Sequence, residues 1–293
     1  MKMNCLTSTK HLMKLKDSMI DIKTNTILAL DISTTCIGVS IVYDDGLTKP
    51  NILEITHVSP KISKNATGIE ALILRKNIFE NDFLPRLKDF NITECVIEAP
   101  IMYAQSNSNY LTISELLQFN GLLSESIYRV LGIFPKYITT YQARMYSYPE
   151  LMSLRKFKRN GDINDIKSIK KQIKDNHLTL FGGFPFDCDK KSIMMGCVDD
   201  NYPEICWSKT KSGELKKQNY DACDSLVCAI AYINQKRYGD MEPKIMSHEI
   251  TENENRYDIN YTFDVWGKIY EKHMTIPKDI ENEKTKPKKN TQK

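Results

Sequence analysis

Four acidic residues, Asp31, Glu98, Asp221 and Asp224, are spaced so that they could share a divalent cation. Metal-assisted hydrolysis of a phosphodiester is the chemistry such a set of carboxylates supports. Asp31 closes the apolar run Thr26-Ile27-Leu28-Ala29-Leu30, and Glu98 closes a second one, Cys95-Val96-Ile97. Asp221 and Asp224 are three residues apart at the start of an expected helix, which puts both on one face. Each acid adjoins a hydrophobic stretch, where a lone charge is costly to bury. A shared cation with hard-oxygen preference removes that cost. Helix capping would account for Asp221 and Asp224 alone, and a strand-end turn for either of the others, but neither accounts for all four.

The elements that must hold these acids follow from periodicity. Thr26 to Asp31 and Cys36 to Tyr43 are expected strands joined by the turn Ile32-Ser33-Thr34-Thr35, with Asn51 to Val58 as a third strand. A helix is expected over Gly68 to Leu87, a fourth strand over Thr93 to Glu98 and a long amphipathic helix over Thr112 to Leu131. Phe134 to Thr139 is the expected fifth strand. Tyr141 to Leu154 reads as helical except at Pro149, and Asn164 to Leu178 as a basic helix. From Thr179 to Lys217 the period fails and loops or short strands are expected. Asn219 to Arg237 is a strong helix. Three antiparallel strands followed by alternating helix and strand is an α/β order, that of the ribonuclease H-like fold: a mixed five-stranded sheet flanked by helices.

Three pieces of the chain resemble the motifs of RuvC-like Holliday junction resolvases, within that ribonuclease H-like superfamily. They are Leu30-Asp31-Ile32-Ser33-Thr34-Thr35-Cys36-Ile37-Gly38-Val39-Ser40, Val96-Ile97-Glu98-Ala99-Pro100 and Tyr220-Asp221-Ala222-Cys223-Asp224-Ser225-Leu226. The resemblance spans roughly Thr26 to Arg237. It implies an endonuclease that resolves branched DNA, with Asp31, Glu98, Asp221 and Asp224 holding two Mg²⁺ (or Mn²⁺) ions about 3.5–4 Å apart. Paired nicks across a four-way junction further imply a homodimer, for which the apolar stripe of the Thr112 to Leu131 helix is a candidate interface. The family's usual glycine after the first aspartate is replaced here by Ser33 and Thr34.

Nucleic acid would be gripped by groups near these acids. Tyr103, Gln105 and Asn107 lie in the polar loop after Glu98 and offer rings and amides for phosphates or unpaired bases. Arg155, Lys156, Lys158, Arg159, Lys170 and Lys171 belong to a basic stretch, and Lys216 and Lys217 stand one turn before Asp221. An ordinary polar loop and solvated lysines are the competing explanations. The net charge of +4 permits a polyanion partner without arguing for one.

At 293 residues and 41% apolar content the chain can bury one sizeable core. No apolar run reaches the roughly 18 residues of a membrane span, and residues 1–23 lack the apolar stretch of a secretory signal. The eight cysteines include no Cys-x-x-Cys pair, so buried thiols in a reducing cytoplasm, of a bacterium, phage or DNA virus, are expected. The expected organisation is an extension over 1–25, a nuclease domain over 26–238 with an insertion at about 179–217, and a charged, partly disordered tail over 239–293. Two other functions fit parts of the pattern: a different ribonuclease H-like nuclease acting on flaps or structured nucleic acid, and an ATP-binding protein of the actin or sugar-kinase type. The second requires a duplicated core and a glycine-rich adenosine segment, neither of which is found in the sequence.

Overall fold

The computed structural model describes residues 24–100, 110–154, 164–175, 177–182 and 190–277. Strands β1 (Asn25–Ile32), β2 (Ile37–Asp44) and β3 (Asn51–Val58) form an antiparallel meander. Helix α1 (Gly68–Ile78) runs into a π turn and a 3₁₀ turn ending at Phe90, and leads to β4 (Glu94–Glu98). Helix α2 (Tyr110–Leu131) then leads to β5 (Lys136–Ile138). Strand β4 is parallel to β1, and β5 to β4, which gives the order β3-β2-β1-β4-β5. This is the mixed five-stranded α/β sheet of the ribonuclease H-like fold.

Strand alternation sorts the chemistry from the packing. Leu28 and Leu30 of β1, Ile37, Val39 and Ile41 of β2, and Cys95 and Ile97 of β4 face one side, where Leu72, Phe79, Phe119, Leu123 and Ile127 cover them. Each fully buried side chain of this size contributes about 1.5–3 kcal/mol. Ile27, Ala29, Val42 and Val96 face the other side. Asp31 continues the Ile27–Ala29 row, and Glu98 the Val96 row. The acids therefore lie on the second face, which is covered by α3 (Thr140–Ser147) and α6 (Gln218–Tyr238).

Helix α3 begins at a capping box. Thr139 accepts from the Gln142 amide at 3.2 Å, and the Gln142 side chain accepts from Thr139 N–H. It stops at Tyr148 rather than continuing to Leu154, because Pro149 disfavours helical backbone in the residue before it. A 3₁₀ turn, Pro149–Leu151, follows. The basic helix α4 (Asn164–Lys174) ends four residues earlier than the pattern suggests. Two-residue strands β6 (Met152–Ser153) and β7 (Phe181–Gly182) pair with each other.

Two regions differ from expectation. The stretch expected to be loops contains α5 (Lys190–Asn201). Its Gly196, Val198, Asp199 and Asp200 are poor helix formers, but burial of Met194, Met195 and Val198 in the core decides the matter. The charged tail likewise holds an antiparallel meander, β8 (Lys244–Glu252), β9 (Arg256–Val265) and β10 (Lys268–Pro277). In β9, Ile259, Tyr261, Phe263 and Val265 join the same core as α6, while the polar residues between them face outward. With the five-stranded sheet on one side and α3 and α5 against it, α6 is buried almost all round, from Ala222 to Ala231. Among the described residues no helix is long and apolar enough to cross a membrane. The remainder of the tail, residues 278–293, and the extension over 1–23 lie outside the described residues.

Candidate active site

The carboxylate cluster is built at the carboxyl ends of two parallel strands, where ligand sites in α/β sheets form. Leu30 pairs with Ile97, so the next residues on the two strands, Asp31 and Glu98, stand side by side. Asp31 is also opposite Gly38 in the β1–β2 hairpin. The hairpin turn needs no glycine. The Ser33 hydroxyl donates to the Cys36 carbonyl at 2.8 Å and accepts from the Cys36 N–H at 3.0 Å, and every residue from Ser33 to Cys36 keeps negative φ.

Helix α6 delivers the other two acids by lying directly on β2. A Cβ on Gly38 would stand 1.9 Å from the Asp221 carbonyl oxygen and 2.8 Å from the Ala222 nitrogen. Four residues further on, the buried Ser40 and Ser225 hydroxyls meet at 2.7 Å, and Ser225 also donates to the Ala222 carbonyl at 2.7 Å. Asp224 faces inward and is 9% exposed, while the Asp221 side chain is 22% exposed.

The four charges oppose one another. Burial raises the Asp31 carboxyl well above the usual range, and Glu98, Asp224 and Asp221 push it further. Glu98 is raised by burial, against the Thr140 hydroxyl that donates to it and the nearby Arg144 and Lys191. Asp224 is lifted to about 6 by burial, then by Glu98 and Asp221, with Arg144 and Lys191 opposing. Lys191 Nζ lies 3.9 Å from Asp221 Oδ1. Two thiols border the acids: Cys228 Sγ is 3.9 Å from Glu98 Oε2, and Cys36, raised to about 12 chiefly by burial, donates to Asp221.

At the far end of β4 the situation reverses. Glu94 receives the Tyr232 hydroxyl at 2.5 Å and an ion pair from Lys236. Acids without catalytic spacing are thus matched by cations, whereas the four at the carboxyl edge outnumber the two cations beside them.

The donor set suits a divalent cation in kind and charge, being oxygen-rich, buried and in excess of negative charge. As the side chains stand, no three of the described His, Cys, Asp and Glu residues converge closely enough to hold an ion, which also applies to Cys197 and Cys206. Side-chain rotation of the acids would accompany loading.

Asp31, Glu98, Asp221 and Asp224 come from β1, β4 and α6 to the same edge of the sheet, with no three of them at ion-binding distance as the side chains stand. Lys216 and Lys217 are exposed at the start of α6, with Lys217 as its N-cap. Lys170 lines a hollow with Lys174, Glu252 and Tyr257, while Lys171 is exposed on the same helix. Tyr103, Gln105, Asn107, Arg155, Lys156, Lys158 and Arg159 lie outside the described residues. Sequence reasoning passed over Gly38, Thr140, Arg144, Lys191 and Cys228. Arg144 carried a signal, as the only basic residue between Tyr141 and Leu154. Lys191 carried none, since its helix was not foreseen.

No family model matches the chain, and no curated protein matches it. Among solved structures it is similar to Thermus thermophilus RuvC, at 14% identity and a TM-score of 0.43, over 73% of this chain and 96% of that one. It is also similar to the yeast mitochondrial Holliday junction resolvase Ydc2, at 12% identity and a TM-score of 0.41, over 79% and 87%. An Aquifex aeolicus Ppx/GppA phosphatase is similar at 8% identity and a TM-score of 0.30, over 86% and 52%. Likenesses this weak say nothing of activity.

Proposed function

We propose that the chain is a divalent-metal-dependent, structure-selective endonuclease of the RuvC-like type, acting on branched DNA. The observation that carries this reading is the gathering of carboxylates from β1, β4 and α6 at one edge of the sheet, where burial raises the proton affinity of Asp31, Glu98 and Asp224. A fold does not accumulate uncompensated buried charge without something to neutralise it, and Mg²⁺ or Mn²⁺ supplies that neutralisation, an acidified water and a Lewis acid for phosphate oxygens.

The residues divide the work by position. Asp31, Glu98, Asp221 and Asp224 would hold the metal. Thr140 holds Glu98 by its hydroxyl. Arg144 and Lys191 put positive charge beside the acids and suit the phosphate flanking the cleaved bond. Lys216 and Lys217, exposed ahead of Asp221, suit the next phosphates along the strand. Two matching nicks in a junction require a two-fold pair of chains. The apolar stripe expected to pair two chains is taken into the core at Leu123 and Ile127, so the pairing would fall to the exposed Tyr110, Leu117 and Tyr128 of α2. The nucleotide-binding alternative loses ground because the second sheet, β10-β9-β8, is an antiparallel meander and not a repeat of the first.

The experiment is cleavage of a mobile four-way junction in Mg²⁺, beside linear duplex, flap and RNA–DNA hybrid, with Asp31→Asn as the blank. Paired symmetric nicks in the junction alone, absent from the variant, are the expected result. Cleavage of a control but not the junction would keep the metal centre and move the activity to another nuclease. No cleavage of any substrate with either metal would sink the proposal.

A further inference from the structure

Some distance from the carboxylates, a cleft of about 350 Å³ opens between α6, the ends of α3 and α5, and the β9–β10 hairpin. Counting along α6 from Asp224 to Asn234 puts it ~15 Å away. Its inner wall is aromatic and apolar: Tyr148, Tyr202, Ile230, Val265 and Trp266. Lys49 and Lys268 stand at its rim, both exposed, together with Glu150 and Asn234. The volume is at the lower end of the range for small-ligand sites.

Trp266 is the telling residue. It occupies the first position of the two-residue turn between β9 and β10, with φ of 55°, followed by Gly267 at 80°. Hairpin turns of this shape favour Asn-Gly, because left-handed backbone is strained for a bulky side chain. Tryptophan is therefore here for its ring and not for the turn. Tyr146 holds the indole edge-on at 5.7 Å and Tyr238 lies tilted to it at 5.4 Å. Its Nε1–H is buried with no hydrogen-bond partner, and so is the hydroxyl of Tyr148, a residue only 3% exposed. Two unmatched polar groups in one wall are a cost that natural cores avoid, and each calls for an explanation.

The rim adds charge to this wall. Lys49 Nζ lies 3.8 Å above the Tyr202 ring and donates to the Asn201 carbonyl, and Lys268 Nζ is 5.1 Å from the Tyr270 ring. Asn234 is fixed by its Nδ2 on the Tyr146 carbonyl at 2.8 Å. The partly exposed indole ring and two cations at the mouth suit a flat ring joined to an anion, and Glu150 offers an acceptor for an exocyclic amine.

We propose that this cleft binds a nucleotide, its base on the partly exposed Trp266 ring and its phosphate at Lys49 and Lys268. Base stacking on aromatic side chains and phosphate contact with lysines are the general means by which single nucleotides are held. The source is a free mononucleotide or an unpaired residue of a DNA strand, and the site stands independently of the carboxylate reading.

The chain has two tryptophans, so in a full-length Trp207→Phe variant excited at the red edge of indole absorption Trp266 is the sole tryptophan emitter. Its fluorescence is titrated with 2′-deoxyadenosine 5′-monophosphate, deoxyadenosine, inorganic phosphate and single-stranded oligodeoxyadenylate. The expected result is saturable quenching by the mononucleotide with a midpoint below roughly 1 mM. It should weaken about tenfold or more, a loss of ~1.4 kcal/mol, in Lys49→Gln/Lys268→Gln. Saturation by the oligonucleotide but not the mononucleotide would support the site and assign it to a strand residue. An equal response to phosphate alone would overturn the base-binding role, and no saturable response to any probe would overturn the site. Should Trp207→Phe fail to fold, the same titrations are read by calorimetry on the native chain.

Discussion

Gly38 and Asp221 touch backbone to backbone: a Cβ on the glycine would sit 1.9 Å from the aspartate's carbonyl oxygen. No side-chain rotation relieves such a contact, because the obstacle is main chain. Gly38→Ala must therefore lift the first turn of α6 off β2 and carry Asp221 and Asp224 with it. The expected outcome is a loss of about 1–3 kcal/mol in stability and a loss of cleavage larger than that destabilisation explains. Urea unfolding and single-turnover cleavage of the same preparation check it. A fully active, fully stable Gly38→Ala would show that the helix is not seated as described.

The raised carboxyl of Asp224 predicts an unusual pH dependence for the metal-free chain. Its folded value is about 6 against 3.8 for the free side chain, so the folded state binds the proton more tightly than the unfolded state. That contribution is fully present below about pH 4, declines as pH rises to about 6, and is absent above. The difference between the two values corresponds to about 3 kcal/mol. Glu80 acts in the opposite sense. Despite burial, Arg129 and Lys76 hold it down at about 2, so its stabilisation is lost as pH falls from about 4.5 toward that value. The difference in stability between the native chain and Asp224→Asn, followed by thermal unfolding from pH 3 to 8, isolates the first effect. Asp224→Asn should be the more stable near pH 7, and millimolar Mg²⁺ should cancel that advantage.

Lys191 opposes the raised proton affinity of Asp31, Glu98 and Asp224. Removing its charge should move all three upward. The acid limb of the pH–rate profile is therefore expected to shift to higher pH in Lys191→Gln, with the profile's plateau lowered as well. A plateau loss with no shift of the acid limb would mean that Lys191 touches substrate without tuning the acids.

How much of this was legible depended on how far each signal extended along the chain. The acids could be found because each interrupts an apolar run of strand or helix, a local contrast. The sheet order followed from three alternating strands and two long helices. The inserted helix α5 was not legible, since Gly196 and the Asp199-Asp200 pair hide its period and only contact with the core reveals it. The β8–β10 meander was half visible. Tyr257, Ile259, Tyr261, Phe263 and Val265 alternate strictly with polar residues, yet the high charge of the tail outweighed that pattern in the sequence reading. Gly38 was quoted within a motif, but its role depends on a helix more than 180 residues away.

The end of the sheet opposite the acids is held by an ion pair. Arg237, near the end of α6, pairs with the buried Asp44 at the end of β2 and donates to the Thr48 carbonyl at 2.7 Å. This clamp fixes the carboxyl end of the helix whose amino end carries Asp221 and Asp224. Asp44→Ala would leave a largely buried guanidinium with only the more distant Asp45 carboxylate, 3.9 Å away, and its Nε already lacks a partner. A cost of about 3–5 kcal/mol is expected. Replacing both residues with apolar ones of similar volume should cost much less, because the desolvation of the pair disappears with it. Urea midpoints of the single and double variants decide the point. If the double variant is as unstable as Asp44→Ala, the clamp acts through shape and not through charge.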